Sequence, residues 1–203
     1  MSEQPVKTYP TLGCCGIDCG LCPRYYTVGS SRCPGCCGPD FFTKHTSCSF
    51  ITCCVKRKGL EACAQCDDFP CLRVDGWTED REGVYDSFVT HRKAMPNLVL
   101  VRERGIEEFI RQQERRIELL KAMLLAFDDG RAKSFYCTAT ALLPIADLET
   151  SLDRARQRTG SAELGSDDMR ARAGVLRGLL DECATRRGIE LRLRKKSKGQ
   201  TRN

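Results

Sequence analysis

The residues able to do chemistry in this chain are cysteines, and they are concentrated. Thirteen of the fifteen lie between Cys14 and Cys71, leaving only Cys137 and Cys183 outside. Cys15-x3-Cys19-x2-Cys22-Pro23 opens the stretch and Cys33-Pro34-Gly35-Cys36 follows. Cys48, Cys53 and Cys54 come next, and Cys63-x2-Cys66-x4-Cys71 closes it. A C-x2-C pair turns two sulfurs toward one point while its backbone amides stay free to donate to sulfur. That geometry serves tetrahedral zinc and iron–sulfur clusters alike. One such pair says little, but three with further cysteines between them point to metal. Disulfides fit less well, because the count is odd and Cys14-Cys15, Cys36-Cys37 and Cys53-Cys54 are adjacent. A sulfur-only donor set suits both metals, so spacing alone leaves [4Fe–4S] and Zn2+ open.

Other motifs are weaker. The Cys15, Cys19, Cys22 spacing matches the cluster loop of radical S-adenosylmethionine enzymes, but no alternating strand–helix series follows to build their barrel. Cys14-Cys15-Gly16 and Cys36-Cys37-Gly38 echo the CCG motifs of heterodisulfide-reductase-like proteins, without their longer spacing. A thioredoxin-like dithiol needs a β-α-β setting that is absent. Free thiols serving as scavengers or sensors are a further reading, governed by exposure and pKa. His45 stands between Cys37 and Cys48 as an alternative ligand, with a surface role as its plainer reading; His91 reads as structural or exposed. The acid pairs Asp67-Asp68 and Glu107-Glu108 read as solvated faces. There is no nucleophile–base pair, phosphate loop or dinucleotide fingerprint, so no catalytic residue is assigned.

The run CGIDCGLCP, then CPGC, then CCVKRKGLEACAQCDDFPC resembles the cysteine-rich family catalogued as "domain of unknown function 3795". The resemblance covers residues 14–73 best, and NLVLVRERGIEEFIRQQERR and DDGRAKSFYCTATALLP resemble the continuation of longer members. It implies a cysteine–metal domain with Cys15, Cys19, Cys22, Cys33, Cys36, Cys48, Cys54, Cys63, Cys66 and Cys71 as ligand candidates. Cys14, Cys37 and Cys53 stand outside the match as possible extras, and Cys53 could exchange roles with Cys54. The family has no established activity. It therefore implies no reaction, but its anaerobic and microaerobic setting, where exposed clusters survive, favours iron–sulfur; a cluster held by thiolates would permit electron transfer with an unknown redox or protein partner. The alternative is a structural zinc module that mediates protein or nucleic-acid contacts.

The expected architecture is mainly α with an irregular N-terminal part: a small, metal-stapled cysteine module followed by an α-helical region. Residues 1–12 read as a loose leader. Residues 13–72 are Gly- and Pro-punctuated and bury too little apolar surface to fold unaided, which metal binding can offset. One short helix is expected there, around Ile51–Leu60. Residues 73–96 form a charged connector broken by Gly76, Gly83 and Pro96, in which Tyr85, Phe88 and Val89 could make a helical turn and Trp77 packs. Residues 97–188 are helical. Ile106, Phe109, Ile110, Ile117, Leu120, Leu124 and Phe127 mark one amphipathic face, closed by a left-handed cap at Gly130. Residues 131–143 and a face marked by Ile145, Leu148, Leu152 and Ala155 follow, then a loop from Gln157 to Gly165. A last helix starts near Ser166 with acids in its first turn and runs to Gly188, with Cys137 and Cys183 as buried small hydrophobes. IELRLR alternates in the manner of a short strand.

Formal net charge is +6. Much of it sits in a basic tail over residues 189–203, with no acid after Glu190. Its plainer reading is a solvated, disordered end; the alternative is contact with nucleic acid or another anionic surface, though no aromatic platform for stacking bases accompanies it. The opening residues lack a signal-peptide core and no apolar run approaches the roughly 20 residues that span a bilayer. The expected location is the cytoplasm, where thiols more often hold metal than form disulfides.

Overall fold

A computed structural model of the chain describes residues 5–75, 85–160 and 168–195. These residues are mainly helical, and no strand occurs among them; the only β pairing is an isolated bridge between Leu12 and Asp18. The chain divides into two compact units, Met1–Arg111 with Leu193–Asn203, and Gln112–Arg192.

The first unit holds the cysteine module. Its helices are short, because Gly and Pro recur before any helix can propagate. Two 3₁₀ turns, Cys19–Leu21 and Pro23–Tyr26, are followed by α1 (Phe41–Lys44). The expected helix around Ile51 is a π-helix over Ile51–Arg57, with Ile51, Cys54 and Val55 buried. Its wider turn is a feature often found at functional sites. A 3₁₀ turn at Cys63–Gln65 and α2 (Leu72–Asp75) close the module. The apolar cluster that supports it draws Leu12, Phe41, Ile51 and Val55 together with Leu98, Val101 and Phe109.

The expected loose leader is part of this module over its described residues. The Glu61 carboxylate accepts the Thr8 and Tyr9 amides at 2.7 and 3.0 Å. Pro10 and Thr11 carbonyls accept from Cys36 and Gly20, and the Lys7 amide donates to the Cys37 carbonyl. The sequence shows no periodicity here because the segment pairs with irregular loops rather than forming an element of its own.

After the connector, α3 (Ala94–Arg104) packs against the Cys63–Gln65 turn. Pro96 lies inside its first turn, where the missing N–H removes no helical bond. The helical pattern beginning near Asn97 is two helices rather than one. Gly105 takes a positive φ of 87° and separates α3 from α4 (Ile106–Phe127). Tyr85, Phe88 and Val89 form no helical turn; the Asp86 carboxylate organises that segment instead. Asp86 accepts the His91 amide at 2.7 Å and exchanges two bonds with the Arg194 backbone, 2.7 Å at Oδ2 and 3.0 Å from its own N–H. IELRLR therefore pairs with a loop at Arg194 and not with a strand. Trp77, Ser166, Asp167 and most of the basic tail lie outside the described residues.

The second unit packs the later part of α4 with α5 (Lys133–Leu142), α6 (Ile145–Gly160) and α7 (Met169–Arg186). Gly130 has the positive φ expected of a cap, 83°. Helix α6 runs beyond the expected Gln157 boundary to Gly160, with the Thr159 hydroxyl donating back to the Ala155 carbonyl at 2.9 Å. Asp168 caps α7 by accepting the Ala171 amide at 2.9 Å. Cys137 and Cys183 are buried in this unit as expected, 2% and 4% exposed. No helix among the described residues is long and apolar enough to cross a membrane.

Candidate metal centre

All fifteen cysteines are free thiols. Five of the thirteen N-terminal ones influence one another electrostatically as successive neighbours, Cys63–Cys54–Cys14–Cys36–Cys37. Each member is brought in by a different piece of local structure. Cys14 lies within the tight Gly13–Ile17 turn, and its carbonyl accepts the Cys63 amide at 2.8 Å, which fixes the two ends of the module against each other. The Cys36 amide donates to Pro10, and Cys37 adopts a left-handed φ of 54° that keeps its sulfur beside that of Cys36. Cys54 comes from the buried side of the π-helix. All five side chains are buried.

Sequence reasoning set Cys14 and Cys37 apart as extras, yet the fold places Cys14 in the middle of the run. Adjacent cysteines can serve one centre when the backbone between flanking elements turns sharply, and a spacing pattern does not reveal which of the two points inward. Cys53, the third extra, is half-buried beside the buried Cys54.

Electrostatics divide the five sulfurs into two kinds. Hydrogen bonds from Cys14 and Cys37 hold the Cys36 thiol far below its ordinary value, to about 2. Those from Cys14 and Cys63 hold Cys54 at about 4. The donors Cys14, Cys37 and Cys63 are correspondingly pushed up, by contact with those sulfurs and then by burial. Their neighbours thus favour the ionised form of Cys36 and Cys54 and the protonated form of Cys14, Cys37 and Cys63.

The cation beside them is Lys7, which the sequence reading passed over. It is 5% exposed, its ammonium donates to the Leu12 carbonyl, and its charge favours the ionised forms of Cys19, Cys36, Cys37 and Cys54. A buried ammonium is costly without negative charge nearby. The signal in the sequence was a lone lysine ahead of the cysteines, which is indistinguishable from a solvated one. Lys7→Met is expected to leave the Leu12 carbonyl without its donor, costing about 1–3 kcal/mol. It should also weaken metal retention by the roughly 10–100-fold typical of a lost outer partner, read by chelator competition on the loaded protein.

Around this run lie further thiols. Burial raises Cys15 to about 12 despite a backbone donor at Ile17, and burial also raises Cys19 and Cys22. Cys22 receives backbone donors from Arg24 and Tyr25, and the Ile51 amide reaches Cys48 Sγ at 3.5 Å. Such N–H to sulfur turns are those a metal knuckle uses. Cys15 and Cys48 lie within charge range of each other, as do Cys22 and Cys33. Cys71 lies near Cys63. Cys66 is drawn elsewhere, its sulfur accepting from Lys58 at 2.9 Å in a contact shared with Asp68. His45 stacks on Phe41 at 4.8 Å, and burial first, then the Arg24 and Lys44 charges, lower its pKa. His91 bonds Ser87 at 3.1 Å. Asp68 and Glu108 are paired with Lys58 and Arg111, which makes them ordinary surface acids.

As donor types in a buried, cation-backed setting, these thiols fit a metal or cluster. Among the described residues, however, no three His, Cys, Asp or Glu side chains stand in a ligating arrangement. The raised thiols also set a pH limit for the metal-free, reduced protein. A thiol with a raised folded pKa contributes fully below its unfolded value of 9.0 and loses that contribution as pH rises toward the folded value. Melting temperature of the metal-free protein is therefore expected to fall between pH 9 and 12, the window of Cys15. A flat profile over that window would contradict a buried neutral Cys15.

No known protein family, curated protein or solved structure matches the chain.

Proposed function

We propose that the chain is a cysteine-ligated metal-binding protein whose module holds an iron–sulfur cluster, with a redox or electron-transfer role. The observation that carries this reading is the buried run of five sulfurs beside Lys7. A four-thiolate [4Fe–4S] or zinc centre carries net negative charge, and a buried ammonium offsets it. Cys14, Cys36, Cys54 and Cys63, consecutive in the run, are the first candidate set, with Cys37 adjoining. Cys15, Cys19, Cys22, Cys33 and Cys48 make a second candidate set, and Cys66 and Cys71 remain as further donors. Binding would draw the sulfurs into a ligating arrangement, since binding and folding free energies merge in such modules.

A structural zinc module is the second reading, favoured by the burial of the sulfurs, because structural zinc sites are closed. One measurement separates the two. Anaerobically purified protein that is brown, with stoichiometric iron and acid-labile sulfide, supports the cluster. Colourless protein with stoichiometric zinc replaces it with the second reading, and protein that takes up neither metal at stoichiometry removes both.

A further inference from the structure

A second feature of the cysteine module is a groove that the metal reading does not use. Between Cys19 and Gly59 there are six basic residues and one acid, Asp40. Three of the cations, Arg24, Arg32 and Lys44, have no carboxylate within ion-pair distance among the described residues, whereas Lys58, Arg111, Arg115, Arg156 and Arg187 all do. Arg32 and Lys44 line a cavity of about 400 Å³ whose other walls include Tyr25, Pro10, Pro34 and Pro39. That size accommodates one small planar ligand group with room for its substituent.

The groove is built, not incidental. The Arg32 guanidinium lies over the Tyr25 ring at 5.2 Å while its Nε donates to the Tyr25 carbonyl at 3.1 Å. Lys44 Nζ donates to the Arg32 carbonyl at 2.7 Å, so the two cations are held on one rim. Next to Tyr25 in sequence, Arg24 lies over the Phe88 ring at 4.9 Å, and Phe88 is 60% exposed. Beside Gly29 of the groove wall, Val28 is 94% exposed. Planar guanidinium–aromatic stacks, bare apolar edges and unneutralised cations form the combination that tracks a phosphodiester backbone while bases stack. A carboxylate-rich peptide would use the charges but not the flat stacks.

We propose that this groove binds single-stranded nucleic acid, with phosphates on Arg32 and Lys44 and a base against the Tyr25–Arg32 stack. The residues of this site differ from those of the basic tail, and it requires the module to be folded but not any particular metal.

The test is fluorescence anisotropy of a labelled oligouridylate with the metal-loaded full chain across a salt series, with metal content measured on every sample. The intact chain is expected to bind with salt-dependent affinity. Arg32→Gln with Lys44→Gln should lower affinity at least 10-fold and reduce the salt slope by roughly 1.4, about 0.7 for each lost phosphate contact. Arg32→Lys keeps the charge but loses the planar stack, so affinity should fall while the slope stays. Three results would each overturn the proposal: no binding at low salt; binding unaffected by the groove variants at unchanged metal content; or polyglutamate competing as well as unlabelled oligouridylate. Loss of binding through Lys196→Gln with Lys198→Gln alone would move the site to the tail and overturn it equally. A chain that binds oligouridylate through Arg32 and Lys44 but takes up zinc and no iron would uphold this proposal while removing the cluster reading.

Discussion

Replacing Cys14 by serine is expected to remove bound metal as completely as replacing Cys36, although the spacing pattern marks only Cys36 as a ligand. Cys14 is the sulfur whose neighbours are both Cys36 and Cys54, the two thiols whose ionised forms are favoured. A serine oxygen there is smaller, harder and far less acidic, so it neither joins a soft thiolate set nor keeps the two ends of the run in contact. The loss should exceed the roughly 10–100-fold typical of an outer partner. Cys137→Ser provides the contrast: it changes an equally buried thiol in the helical unit and should keep full metal content at a modest cost in melting temperature. Metal per chain after anaerobic loading reads both. Full metal retention in Cys14→Ser would show that the five-sulfur run is a packing feature, and would return the site to the ten residues of the family-like pattern.

The contrast between Cys14 and Cys36 also shows where the sequence is informative and where it stops. Helices α4, α6 and α7 were legible because each buries a stripe at helical period, as Leu120, Phe127, Leu148, Leu152 and Leu176 do. Boundaries moved where a tertiary contact outweighed the local signal. Thr159 bonds back along α6 and extends it past the expected Gln157 boundary. The cysteine module was legible as a module, since thiol density and C-x2-C spacing are local properties. Its internal arrangement was not. Whether Cys14 or Cys15 enters the run depends on how the Gly13–Ile17 turn meets the Cys63 amide, a contact between residues almost fifty positions apart. Lys7 was invisible for the same reason: burial of a lysine is decided by Leu12, Cys36 and Cys37 around it and not by its neighbours in the chain.

That dependence on one turn leads to the largest expected stability effect, at Gly16. Its φ is +89°, and a Cβ built there would overlap the carbonyl oxygen of Ala94 and approach Leu98 Cγ to 2.8 Å. The backbone must pass this close because Asn97 Nδ2 donates to the Gly16 carbonyl at 2.9 Å, which fixes the Cys14–Cys19 loop on the first turns of α3. Gly16→Ala therefore combines left-handed strain of about 1–2 kcal/mol with a backbone clash of the overpacking kind, about 1–3 kcal/mol more. Together these approach the whole stability of a small domain. Gly105 separates the two contributions. Its φ is also positive, +87°, with a ψ of 161° in the extended region essentially confined to glycine, a strain of about 1–3 kcal/mol for a side chain, but an added Cβ meets only the flexible Glu107 carboxylate at 3.3 Å. Gly105→Ala should cost the strain alone, leaving metal content intact, whereas Gly16→Ala should lower melting temperature further and release metal, because the displaced loop carries both Cys14 and Cys15. Equal melting temperatures for the two variants would mean that the loop is free to lift from α3, and that the metal centre does not depend on this contact.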